Sequence, residues 1–137
     1  MEAAAIVQKM FDADAFSQWL GIELLEVQPG EATLRMCVTK QMLNGFGIAH
    51  GGITYSLADS ALAFASNSVG KKSLSIETSI SHLISLKEND CILAQCYCES
   101  ESTKLGHYKV KVTFQNAPDK IVALFKGIVY KTSQDWV

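Results

Sequence analysis

The stretch from Gly51 to Ser68 constrains the fold more than any other part of the chain. Ile53, Tyr55, Leu57, Ala58, Ala61, Leu62, Ala63, Phe64 and Ala65 run around most of the circumference of a helix of this length. A helix apolar nearly all round has to be covered on several sides. The other segments suit that task. Ala32, Leu34, Met36 and Val38 alternate with Thr33, Arg35 and Cys37, the period of a strand with one buried face. Residues 22–27 read as a strand before it, with Pro29-Gly30 as the turn between them. Beyond the helix, residues 74–83, 92–101, 107–115 and 121–132 read as four strands, with turns at 87–90, 102–106 and 116–120. Residues 3–20 read as one N-terminal helix, with Ile6, Met10 and Phe11 at helical spacing and Gly21 as its stop. Residues 42–50 read as a loop. The sum is α+β: a long central helix wrapped by a curved antiparallel sheet, the last four strands forming a meander.

At 137 residues, 48% apolar and 19% charged, the chain reads as one globular domain over 1–137 with a proper core. A net charge of -2 gives no basic surface for nucleic acid. The N-terminal segment lacks the pattern of a secretion leader, and residues 51–68 are too short and too polar for a membrane span. The expected location is the cytoplasm, with no nucleic-acid or membrane partner. Cys37, Cys91, Cys96 and Cys98 form no C-x-x-C pair and no zinc spacing. They read as free thiols of a reducing compartment, with a catalytic cysteine as the alternative. No metal site is expected.

The chemistry concentrates in Asn44-Gly45-Phe46-Gly47-Ile48-Ala49-His50-Gly51-Gly52 and in Asp59 beyond it. A helix starting near Gly51 leaves the Gly51 and Gly52 N–H groups without intrahelical acceptors, next to a partial positive charge. Glycine also lets a substrate carbonyl come close to the backbone. Such a turn can hold an oxyanion, or it can simply bend the chain sharply into the helix. Asp59 is an acid on an apolar helix, which costs free energy unless the group is paired or used. It reads as a base or nucleophile, or as a buried acid bound by backbone or hydroxyl groups. His50 can bond the loop backbone or do acid–base work. Asn44 can bond a carbonyl oxygen or serve as a turn residue. Gly51 and Asp59 lie eight residues apart, roughly 12 Å along a helix axis. One carbonyl carbon needs both groups within about 3 Å. The spacing therefore points to two copies of the chain, with antiparallel helices meeting across a two-fold axis.

Asn44-Gly45, His50-Gly51-Gly52, Leu57-Ala58-Asp59 and Asn67-Ser68 together resemble the signature of hotdog-fold acyl-CoA thioesterases of the phenylacetate-pathway, PaaI-type branch. Leu20-Gly21-Ile22, Gly106-His107-Tyr108-Lys109-Val110 and Val122-Ala123-Leu124-Phe125-Lys126-Gly127 extend the resemblance over most of the chain. It implies a hotdog fold, a homodimer with a continuous sheet, and a homotetramer as a dimer of dimers. It implies hydrolysis of an aryl- or acyl-CoA thioester, with coenzyme A as part of the substrate and no separate cofactor. Asp59 matches the carboxylate that attacks or activates water, and Gly51 the backbone donor to the thioester oxygen. Asn44 and His50 match loop residues of the site, and Ser75 a polar strand residue near it. Lys104, Leu105 and Gly106 match a turn that contacts coenzyme A.

Two departures stand out. Ile84-Ser85 replaces a pattern that carries proline, sometimes after arginine. Lys104-Leu105 replaces Arg-Thr before glycine, keeping the charge but losing the planar fork. A hotdog hydratase would need histidine five residues after Asp59, where this chain has Phe64. A non-catalytic acyl-CoA binding module is the other alternative, and it has no need of Asp59. Tyr55, Phe46 and Phe64 could line an aromatic pocket or belong to the core. Small aromatic acyl groups such as phenylacetyl or hydroxyphenylacetyl are the first expectation, medium-chain acyl groups the second.

Overall fold

The computed structural model describes residues 1–137. The chain forms α1 (Ala3–Asp12), α2 (Ala15–Trp19), β1 (Glu23–Gln28), β2 (Glu31–Cys37), a short 3-10 turn (Lys40–Met42), α3 (Gly51–Asn67), β3 (Lys71–His82), β4 (Cys91–Glu101), β5 (Leu105–Phe114) and β6 (Ala117–Asp135). All strand pairs are antiparallel, in the order β1-β2-β4-β5-β6-β3. This is the α+β hotdog arrangement. Leu57, Ala58, Ala61, Leu62, Phe64 and Ala65 of α3 are buried against Leu34, Met36, Ile92, Ala94, Val110, Val112, Phe125 and Val129 of the sheet. Helix and sheet pack tightly at Gly127, where an added Cβ would stand 2.5 Å from Leu62 Cδ2. No helix is long and apolar enough to cross a membrane.

Five expectations from the sequence are corrected. The last four strands are not a meander. Only β4-β5-β6 run in sequence order, and β3 pairs with β6 at the far edge. The N-terminal segment is two helices, because Asp14 caps a new one: its carboxylate accepts from Ser17 N at 3.0 Å and Ser17 Oγ at 2.6 Å. The turn expected at 102–106 closes sooner, so Leu105 and Gly106 belong to β5. Likewise β6 starts at Ala117, and Pro118 falls where the β5–β6 register shifts. Finally, Cys37 and Cys91 are not free thiols. They stand opposite each other in the β2–β4 register and form a disulfide. Cys96 and Cys98 do remain free. Burial pushes the Cys96 thiol far up, so it is an inert core group.

The β3 edge has a distinctive surface. A bulge at Ile76 shifts the strand's alternation between Ser75 and Glu77. Ser75, Thr78, Ile80 and His82 pair with Val129, Gly127, Phe125 and Ala123, and Val129, Phe125 and Ala123 are buried on the helix side. No strand of the chain pairs with β3 on its other side, and Leu74 and Ile76 are 68% and 61% exposed along this open edge. A long unpaired edge with exposed aliphatic side chains and no proline is a template for another strand.

Candidate active site

The loop from Met42 to His50 is closed by its own polar groups. Asn44 Oδ1 accepts from Phe46 N at 2.9 Å and Ile48 N at 3.4 Å, and Asn44 N donates to Ile48 O at 2.7 Å. Asn44 is thus the turn-forming residue of the loop, while its Nδ2 amine stays available. His50 is the N-cap of α3, and its Nδ1 accepts from Gly52 N at 3.1 Å. That bond leaves Nε2 as the protonated ring nitrogen of the neutral form. It also corrects the expectation of two free donors, since the Gly52 N–H is occupied. The Gly51 N–H has no partner within the chain.

Gly51 opens onto a cleft of about 230 Å³, lined by Asn44, Thr54, His82, Ile84, Ser85 and Leu86 among others. Ile84-Ser85, the first departure from the family pattern, therefore forms part of its wall. His82 is a residue the sequence reading passes over. Its ring lies against Gly51, where an added Cβ would be 3.3 Å from His82 Nε2. No periodicity points to it, because the contact joins the end of β3 to the start of α3.

Asp59 is not in this cleft. It sits half-buried on α3 and makes neither a hydrogen bond nor an ion pair within the chain. Burial without a partner raises its pKa above the ordinary carboxylate value. Its side of the helix, with Gly52, Tyr55, Ser56 and Ala63, is the part of α3 that the sheet leaves incompletely covered. Asp59 lies between Tyr55, which bonds Thr78 at 2.5 Å, and Leu62, which packs on Gly127 opposite Thr78. Ser75 is the next helix-facing position along β3, so it shares Asp59's half of the molecule. Within one chain the structure thus separates Gly51, Asn44 and His50 from Asp59 and Ser75.

The aromatic candidates also divide. Tyr55 is half-buried and packs edge-on to Phe125 at 5.5 Å. Phe64 is a core residue against Phe11, and Phe46 is 88% exposed at the loop tip, so neither lines the cleft. Of the three coenzyme A candidates, only Lys104 offers a side chain to solvent, and it makes no ion pair. Leu105 is half-buried opposite Tyr130. Gly106 is buried where a Cβ would meet Tyr108 at 2.8 Å. Leu74 pairs with the same Tyr130, and it is eight residues from His82, roughly 26 Å along a strand. Lys104 is thus at the opposite end of its own sheet from Gly51.

The sequence matches the profile of the thioesterase superfamily over residues 46–117. It is 36% identical over 118 residues to the acyl-coenzyme A thioesterase PaaI of Escherichia coli, covering 86% of this chain and 83% of that protein. The structure of the E. coli PaaI protein from the phenylacetic acid degradation operon superposes with a TM-score of 0.93 at 32% identity, over 97% of this chain and 95% of that one. The TT0310 protein of Thermus thermophilus superposes with a TM-score of 0.82 at 34% identity, over 87% and 98% of the two chains. The chain belongs to the thioesterase superfamily, as a PaaI-type hotdog thioesterase.

Proposed function

We propose that this thioesterase hydrolyses small aryl- or acyl-CoA thioesters to the free acid and coenzyme A, at a site built from two copies of the chain. The observation that carries this reading is a mismatch. Gly51 presents an unpartnered N–H to a cleft that lacks a carboxylate, and Asp59 is an unpartnered carboxylate outside that cleft. A two-fold axis at the β3 edge supplies each with what it lacks. Antiparallel pairing of β3 with its counterpart sets the His82 end of one chain against the Leu74 end of the other. The partner subunit's Asp59, Ser75 and Lys104 then approach the Gly51 cleft. The unpaired edge of β3, with Leu74 and Ile76 exposed along it, supports this pairing. A homotetramer, as a dimer of such dimers, is the proposed solution state.

In the proposed reaction the thioester oxygen accepts from the Gly51 N–H. The partner subunit's Asp59 attacks the carbonyl carbon, or takes a proton from a water that does. The carbonyl π pair moves onto oxygen and returns as the C–S bond breaks. On the water route the leaving thiolate takes the proton that Asp59 removed; on the direct route a water hydrolyses the acyl–Asp59 anhydride, which frees the acid, restores the carboxylate and supplies the thiolate's proton. A carboxylate whose pKa is raised is a stronger base than an ordinary one, which suits this task. Asn44 Nδ2 is a further polar contact in the cleft, and His50 caps the helix beside it, with Nε2–H as a further donor. Lys104 meets the phosphates of coenzyme A as a point charge.

Thiol release from a panel of acyl-CoAs tests the proposal. Phenylacetyl- and hydroxyphenylacetyl-CoA are expected to turn over fastest, followed by medium-chain esters. Asp59→Asn should lose roughly 10²–10⁴-fold in kcat while still binding substrate. No release from any CoA ester by a folded protein would leave a binding module as the reading.

A further inference from the structure

The helix start supplies too few donors for the charge it is asked to hold. Acyl-transfer sites stabilise a tetrahedral oxyanion with more than one fixed donor. Here the Gly52 N–H is bound by His50 Nδ1 at 3.1 Å, and the Ile53 N–H by His50 O at 2.9 Å. Gly51 alone is left among these first three N–H groups.

The side chain beside that unpartnered donor is His82. It ends β3, and its register partner Ala123 is a buried residue on the helix side, so the imidazole turns toward α3. A Cβ built on Gly51 would find its three nearest neighbouring atoms all in this ring: Nε2 at 3.3 Å, Cε1 at 3.4 Å and Cδ2 at 3.9 Å. The edge carrying Nε2 thus faces Gly51. No hydrogen bond within the chain engages the ring, and both residues line the same cleft. Asn44 and Thr54 line it too, but neither is among the three atoms nearest that Cβ position.

We propose that His82 is the second oxyanion donor, its Nε2–H converging with the Gly51 N–H on the thioester oxygen. This rests on the reading of Gly51 as the first donor. As the new C–O bond forms and the carbonyl π pair moves onto oxygen, Nε2–H shares that charge without giving up its proton. The neutral ring protonated on Nε2 and the imidazolium ion both serve. His82 contributes to the transition state more than to ground-state binding, because the bond tightens as the charge develops.

The test is steady-state kinetics of His82→Ala and His82→Gln on the best acyl-CoA substrate, alongside wild type and Asp59→Asn. His82→Ala removes the donor, and His82→Gln places an amide N–H near the position of Nε2. The expected result is a loss of roughly 10²–10³-fold in kcat for His82→Ala, with KM nearly unchanged. His82→Gln should recover a substantial part of that loss. Wild-type kcat in His82→Ala, a change confined to KM, or a His82→Gln as slow as His82→Ala would overturn the role. If Asp59→Asn is still inactive in those cases, the thioesterase reading stands and only the second donor falls. An inert wild type would be the separate failure of that reading. Unfolding midpoints of both His82 variants should match wild type, which makes a kinetic loss a property of the site.

Discussion

The two ends of α3 treat their polar groups in opposite ways. At the C-terminal end, Asn67 uses its whole amide. Its Oδ1 accepts from Ser73 N at 2.8 Å and Trp136 Nε1 at 2.9 Å, and its Nδ2 donates to Ala63 O at 2.8 Å and Ser73 O at 3.1 Å. Ser68 Oγ donates to Ala65 O at 2.7 Å and accepts from Gly30 N at 2.9 Å. At the start of the helix the Gly51 N–H and the adjacent His82 ring of β3 have no partner in the chain, and neither has the Asp59 carboxylate at its middle. Asp59 is half-buried, and such a group without a partner costs stability, whereas Gly51 and His82 are exposed and open to a ligand. The satisfied end fixes the helix against the β1–β2 turn, β3 and Trp136. The unsatisfied end holds the groups that a substrate and a second chain would complete.

The widest separation between the two ends should come from Asn67→Ala. It strands the buried Ser73 amide and the Trp136 indole together, a loss of about 2–4 kcal/mol in urea unfolding. Turnover per folded molecule should stay at the wild-type value, since Asn67 is at the far end of the helix from Gly51. A large drop in kcat with unchanged stability would erase the distinction between the ends.

A smaller effect of opposite sign is expected from Asp59→Asn. Burial raises the Asp59 pKa in the folded state, so between the ordinary carboxylate pKa and the raised one the native chain binds more protons than the unfolded chain. Asp59 therefore lowers stability as pH rises through that window, and the cost persists at neutral pH. Asp59→Asn should raise Tm near neutrality but not at pH values below the ordinary carboxylate range. Differential scanning calorimetry across pH checks this, and an Asp59→Asn protein that is less stable at neutral pH would mean the carboxylate has a stabilising partner.

Local pattern makes much of this molecule legible and misses specific parts. The all-round apolar helix and the alternating strand before it carry their own period, so the wrapped-helix architecture is readable. The pairing of β3 with β6 is not, because side-chain alternation reports which face is buried and says nothing of which strand lies alongside. The Cys37–Cys91 bond is hidden for the same reason, since it depends on the β2–β4 register. The break between α1 and α2 is signalled by Asp14, a capping residue three positions before Ser17. Gly51, Asn44 and Asp59 are legible because glycine, asparagine and an isolated acid are unusual where they stand. His82 is not, since its meaning comes only from a contact across the fold. Asn67-Ser68 belongs to the same family signature as Asp59, yet in the structure it is a lock for the helix end.

The central claim is that Gly51 and Asp59 act in one site only when they come from different chains. Co-expression of two inactive variants, Asp59→Asn and Gly51→Val, tests it directly. A mixed dimer of the two carries one site with both native groups and one with neither. Random mixing should restore about a quarter of wild-type kcat for the dimer population. No recovery, with mixed dimers demonstrated by mass spectrometry, would mean that each chain builds its site alone and would contradict the account.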